Sequence, residues 1–293
     1  MESCLHILLI MCQRMNILPL HRMTREKING IRDPMKEKIT AAVIQMDVVK
    51  GCPDLNLAKA TTLIREAQEV GAELVVLPEM WLTDFVLKDP FPLLPWSAKA
   101  LDSLTLIAQK GNLVIVAGSV MEESKGQIYN TSYIITNEGI AGKYRKAHIF
   151  EPMGERKVFK PGKGTHGTET SLARLGTIIC YDLRFPEHIR FLALQGVEIL
   201  CVPAQWPLQR ITHWEILLRA RAIENQFFVL GCNRCGKTGT YHFPGHSLII
   251  DPLGRILATA QEEGIALATL EKAVMEEYRA QIPSLKDSLL LKG

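Results

Sequence analysis

The chain has 293 residues, 47% hydrophobic and 22% charged, a globular composition that excludes a largely disordered chain, a collagen or a coiled coil. A chain of this length can bury a full core without disulfides or metals to staple it. The formal charge is +3, and the excess lies in residues 1–38, which carry seven Lys/Arg against four Asp/Glu; the neutral remainder gives no reason to expect nucleic acid or an anionic membrane as partner.

Residues 1–34 differ from the rest of the chain. Their apolar run, residues 5–12, is interrupted by His6 and is too short to span a bilayer. It also lacks the basic start and small-residue cleavage site of a signal peptide. The segment is expected to be a disordered extension or a mis-assigned start, with Met35 the native one and residues 35–293 a single domain. Beyond it, residues 39–46 read as a buried strand. Leu57, Ala60, Ile64 and Ala67 share one face of a helix predicted over 54–70. Strands follow at 72–77 and 113–118, with a helix over 98–110 between them. Pro78 cannot donate to a ladder and marks a strand end. A strand over 129–136 runs into a hairpin turn at Asn137-Glu138-Gly139, and a glycine-bearing loop covers 151–167. A strand over 177–180 precedes a helix that starts near Pro186, a favoured first-turn residue. The pattern closes with a strand at 197–203, a helix over 211–225 and strands at 227–231, 247–250 and 265–270. Alternating strands and helices imply an α/β layer fold.

The seven cysteines are odd in number and widely spaced, which points to a reducing, cytoplasmic location rather than a secreted disulfide framework. Three motifs match by letter and fail by context. The stretch from Gly231 to Thr238 fits a phosphate loop, but Gly239 to Gly245 cannot form the helix whose N-terminus would hold the phosphate. The glycines from Gly162 to Gly167 lead into a strand-like segment rather than a helix. Cys232 and Cys235 are a lone pair where a structural zinc needs four ligands. No metal is expected. His148 reads as a hydrogen-bonded, partly buried histidine.

Three chemically potent residues fall at or near predicted strand ends. Glu79 closes AELVVLPE, Lys146 lies in GKYRKAHIF, and Cys180 closes LGTIIC. Ligands of open α/β sheets bind beyond the carboxyl ends of strands, so a carboxylate, an ammonium and a thiol can meet there. The ammonium would favour the thiolate, and the carboxylate would serve as general base.

LPEMW, YRKAHIF and CYDLRFPE resemble the three catalytic signatures of the nitrilase, or carbon–nitrogen hydrolase, superfamily. The resemblance continues through ERKVFKPG, AQWP, RARAIENQ and GHSLIIDPLGRIL, spanning residues 39–281. It implies a four-layer α-β-β-α sandwich and a cofactor-free enzyme with Glu79 as base, Lys146 as oxyanion stabiliser and Cys180 as nucleophile. Glu155 would be a second glutamate that positions the lysine, and Tyr181 would supply an oxyanion N–H. Gln205 and Trp206 would offer the substrate a polar contact and an apolar wall. The resemblance also implies a homodimer or higher homo-oligomer, packed through the helices that start near Pro186 and Ile211. Within the superfamily it is strongest to the omega-amidase-like branch, whose members cleave terminal amides of short dicarboxylic acids. Alternatives are an N-carbamoyl or deaminated-glutathione-like amidase, or a non-enzymatic scaffold. A substrate carboxylate would need a cation, for which Arg184, Lys157 and Arg210 are candidates; Arg184 is expected to pair with a nearby acid.

Overall fold

The computed structural model describes residues 35–288, so the expectations for residues 1–34 fall outside it. In chain order the described residues form β1 (Lys38–Gln45), α1 (Pro53–Glu69), β2 (Leu74–Val76), α2 (Leu94–Gly111), β3 (Val114–Val116), β4 (Val120–Ser124), β5 (Gln127–Thr136), β6 (Gly139–Arg145), β7 (Thr168–Glu169), β8 (Arg174–Thr177), α3 (Pro186–Leu194), β9 (Ile199–Ala204), α4 (Ile211–Asn225), β10 (Phe228–Asn233), β11 (Cys235–Thr238), β12 (Tyr241–Pro244), β13 (Leu248–Ile250), β14 (Ile256–Thr259), β15 (Gly264–Glu271) and α5 (Lys272–Gln281). The first large sheet has the order β15-β1-β2-β3-β5-β4, with β6 paired to β5; the second is β14-β13-β10-β9-β8-β7. In each sheet the central pairs are parallel, β1–β2–β3 in one and β8–β9–β10 in the other.

The layers follow from strand alternation. Ile39, Val43, Val76 and Val116 of the first sheet meet Leu175, Ile199, Leu230 and Ile249 of the second in one buried cluster. The intervening residues Ala42, Ile44, Val75 and Ile115 face the other way, onto Ala60, Ile64 and Ala67 of α1 and Ala100, Leu104 and Ala108 of α2. On the far side Leu200, Val202, Val229 and Ile250 pack against Ile189 and Leu192 of α3 and Trp214, Leu218 and Ala222 of α4. The result is the expected four-layer α-β-β-α sandwich. Strands buried on both faces read as nearly continuous apolar runs. Gly231 is fixed by this packing, because a Cβ there would lie 2.5 Å from Leu218 and 2.9 Å from Trp214.

Most differences from the sequence reading are at edges. The helix expected from residue 98 begins at Leu94, with Pro95 in its first turn where no N–H is needed. β4, β11, β12, β14 and α5 have no counterpart in the sequence reading; α5 is charge-rich and buries only Met275, so it carries little periodic signal. The phosphate-loop stretch runs from β10 into the β11–β12 hairpin rather than into a helix. Cys232 is in the core, its thiol donating to the carbonyls of Ile44 and Val76 at 3.1 and 3.2 Å. Among the described residues, no helix is long and apolar enough to cross a membrane, and no three His, Cys, Asp or Glu side chains are placed to hold a metal.

Candidate active site

Most of the candidate residues stand just beyond a strand of the two sheets. Glu79 lies three residues past β2, Lys146 directly follows β6, Cys180 lies three past β8, and Gln205 follows β9. Glu155 opens a short 3₁₀ turn, Glu155–Lys157. The four charged or nucleophilic groups meet. Lys146 Nζ donates to Glu79 Oε1 at 2.8 Å and to both oxygens of Glu155 at 2.9 Å. All three side chains are buried, Lys146 completely. Glu155 Oε2 also accepts the Phe150 N–H at 3.3 Å. Glu79 Oε2 accepts the Gln205 N–H at 3.0 Å, and Gln205 Nε2 donates to the Glu79 carbonyl at 3.0 Å. Cys180 Sγ approaches the Gln205 carbonyl at 3.9 Å.

The sequence reading carries the strand through Cys180, and the structure corrects this. The ladder ends at Thr177, and Cys180 opens the 3₁₀ turn Cys180–Arg184 in the left-handed region, with φ 47°. A non-glycine residue there is uncommon and persists only where its surroundings hold it. Asp182 does so. Its buried carboxylate accepts the N–H of Ile179 (3.0 Å), the N–H and Nδ1 of His148 (2.9 and 2.7 Å) and the hydroxyl of Tyr144 (2.7 Å). His148, stacked on Phe185, therefore braces the turn that carries Cys180. Burial alone would raise the Asp182 carboxyl, but the hydrogen bond and charge from His148 and the nearby His188 hold it below the usual range.

The electrostatics differ from expectation in one respect. Cys180 is pushed well above the ordinary thiol range, first by burial and then by the Glu79 charge, which together outweigh Lys146. That direction favours a thiol at Cys180, not the thiolate that an adjacent ammonium suggests. Burial opposes the charge on Lys146, yet Glu155 and Glu79 raise it well above its usual value, and it is held as ammonium. Glu155 is raised to about 7, mainly by burial and further by Glu79, against the pull of Lys146.

A cleft of about 350 Å³ opens over the cluster, lined among others by Glu79, Cys180, Tyr181, Gln205 and Trp206. Lys146 sits behind its carboxylates and does not line it. Gln205 spends its amide on holding Glu79. Of the three cations considered, Arg184 and Arg210 line the cleft, whereas Lys157 is exposed and does not. Among the described residues Arg184 does not have the expected acid partner. Its guanidinium lies over Trp206 at 4.8 Å and beside His213 Nδ1 at 3.3 Å, and Arg210 lies over Phe150 at 5.6 Å. Neither pairs with a carboxylate among the described residues. Burial and Arg210 both lower Arg184, the mark of two like charges facing one space.

Residues 40–280 match the carbon–nitrogen hydrolase family. The chain belongs to that family. It is 41% identical over 253 residues to the 2-oxoglutaramate amidase of Bacillus subtilis, covering 85% of this chain and 97% of that protein. It is 32% identical over 264 residues to omega-amidase NIT2 of Mus musculus, covering 84% and 93%. The crystal structure of Saccharomyces cerevisiae Nit3, a member of branch 10 of the nitrilase superfamily, superposes with a TM-score of 0.79 at 30% identity, covering 86% of this chain and 97% of that one. The chain is thus a carbon–nitrogen hydrolase acting on linear amides, similar to omega-amidases.

Sequence reasoning missed Asn130 and Arg234. Asn130 Nδ2 donates to Glu79 Oε1 at 2.9 Å. Fully buried Arg234 ties Asp84 (3.0 Å) to Asp47 (2.9 Å) and so anchors the loop that follows Glu79. An asparagine within a strand and an arginine after one carry no periodic signal; only the contacts reveal them.

Proposed function

We propose that the protein is a homodimeric, cofactor-free thiol amidohydrolase of a reducing, cytoplasmic compartment that cleaves the terminal amide of 2-oxoglutaramate-like dicarboxylic acid monoamides. Cys180 Sγ attacks the amide carbonyl while Glu79 takes the thiol proton. The oxyanion is held by Lys146, one N–H of which turns from Glu155, and by the Tyr181 N–H. Donors pre-aimed in this way contribute roughly 3–4 kcal/mol each in comparable sites. Glu79 passes the proton to the departing ammonia. It then deprotonates the water that hydrolyses the thioester, restoring the thiol and releasing a carboxylate. Splitting one difficult step into two is the gain from a covalent intermediate. Ile216 and Ile223, exposed on α4, suit the dimer contact; a monomer by sedimentation would refute that part.

The observation that carries the substrate class is the pair Arg184 and Arg210, both lining the cleft and neither matched by an acid among the described residues. A guanidinium without an acid partner in a partly enclosed site calls for an anionic ligand, and its planar fork fits a carboxylate. Trp206 and Phe150 supply apolar walls beneath the two cations. Amides of matched length that lack the carboxylate should therefore lose at least ~2 kcal/mol in kcat/KM, about thirty-fold, because the cationic end is left unpaired. Comparing succinamate with butyramide measures this, and Arg184→Met should erase most of the preference. Equal kcat/KM for the two amides would remove the omega-amidase reading and leave the family assignment standing.

A further inference from the structure

We propose that Asn130 is a positioning residue that fixes which oxygen of Glu79 carries out proton transfer, an inference that rests on the catalytic role proposed for Glu79. Asn130 lies on β5 and is fully buried. Its Nδ2 donates to Glu79 Oε1 at 2.9 Å, and its main-chain carbonyl accepts the Lys146 N–H at 2.8 Å. One residue thus touches both charged partners.

The bond count separates the two oxygens of Glu79. Oε1 accepts from Asn130 Nδ2 and Lys146 Nζ, whereas Oε2 accepts only the Gln205 N–H. A carboxylate oxygen offers about two lone-pair sites, so Oε1 is saturated and Oε2 keeps one free. Gln205 connects this oxygen to the thiol, since its N–H donates to Oε2 and its carbonyl is the group that Cys180 Sγ approaches. Asn130 therefore holds the carboxylate with its free lone pair on the oxygen that Gln205 connects to the thiol. The charged and titratable groups packed on Glu79 are Lys146 after β6, Glu155 in its 3₁₀ turn and Cys180 after β8. Asn130 is the one neutral side-chain donor to the Glu79 carboxylate among the described residues, so it orients the base without cancelling its charge as a second cation would. The amide gains nothing else from its place. Its Oδ1 has no hydrogen-bond partner among the described residues, and a buried carbonyl left unpaired is a cost to the fold.

The test uses Asn130→Leu and Asn130→Asp. The readout is the pH dependence of Cys180 alkylation by iodoacetamide, scored by peptide mapping, with succinamate turnover in parallel. Removing a donor from an ionised carboxylate favours its protonated form. Asn130→Leu should move the acid limb of alkylation up by about one pH unit and lower kcat ~10- to 100-fold, with KM within ~3-fold. Asn130→Asp can donate only while protonated, so it should approach wild-type alkylation at acid pH and lose it as pH rises. Both variants retaining the wild-type limb would overturn the proposal, even with a reduced kcat, because loss of rate without a shift is a packing defect. If Asn130→Leu does not fold, Asn130→Asp decides alone. Normal alkylation of wild-type Cys180 without turnover of any amide would count against the proposed function, and the alkylation profiles would still judge Asn130.

Discussion

Lys146→Arg should retain less than a tenth of the wild-type kcat, a loss of at least ~1.4 kcal/mol, and should fail nearly as badly as Lys146→Ala. The ammonium is completely buried and aims its three N–H bonds at three carboxylate oxygens within 2.9 Å. A guanidinium is planar and longer, and cannot place a compact charge at the convergence of those oxygens and a developing oxyanion. Arginine preserves the net charge of the cluster. Lys146→Ala leaves two buried carboxylates facing each other, and breaking a buried pair in this way costs about 3–5 kcal/mol of stability. The arginine variant is therefore the informative one, with kcat and a thermal melt measured together. A folded Lys146→Arg protein that keeps more than a tenth of kcat would show that Lys146 is not the oxyanion stabiliser.

Glu155→Gln should lose roughly two orders of magnitude or more in kcat, ~2.7 kcal/mol, without losing its fold. Glu155 fixes Lys146 through both oxygens, and holding reacting groups in place is worth several kcal/mol. The same residue sets a pH dependence of stability. Its carboxyl is raised from 4.5 to about 7 in the fold, so the native state holds its proton more tightly than the unfolded chain does. The stabilisation this confers is complete below pH 4.5 and is lost as pH rises through about 7, by roughly 3 kcal/mol at most. Glutamine is neutral throughout and avoids that loss. The melting temperature of Glu155→Gln relative to wild type should therefore rise between pH 5 and pH 8.5. Near-normal turnover in the folded variant would reduce Glu155 to a structural loop residue. A relative Tm that falls over the same range would contradict the electrostatic assignment.

The parts of this molecule that were legible in the sequence are those whose burial repeats. α4 has the predicted bounds 211–225, because Trp214, Leu218 and Ala222 recur on one face. The doubly buried strands of both sheets announced themselves as apolar runs. That Glu79, Lys146 and Cys180 could meet followed from their places at strand ends, whereas the resemblance was needed to assign their roles and to add Glu155. What escaped was set by contacts. Cys180 is preceded by Thr-Ile-Ile, which reads as strand, and only the Asp182 carboxylate capturing the Ile179 N–H shows why the chain turns there. The choice among Arg184, Lys157 and Arg210 needed to know which guanidinium faces the cleft and which side chain faces water. The resting thiol of Cys180 was hidden for the same reason: a nearby ammonium suggests a thiolate, while burial and Glu79 decide otherwise.

The central claim is that a linear amide is cleaved by the Cys180 thiol. Ammonia release from succinamate, compared between wild type and a folded Cys180→Ala variant, tests it most directly. Steady release is expected from the wild type, and release at the level of the uncatalysed reaction from the variant. Turnover that survives in Cys180→Ala would contradict the claim.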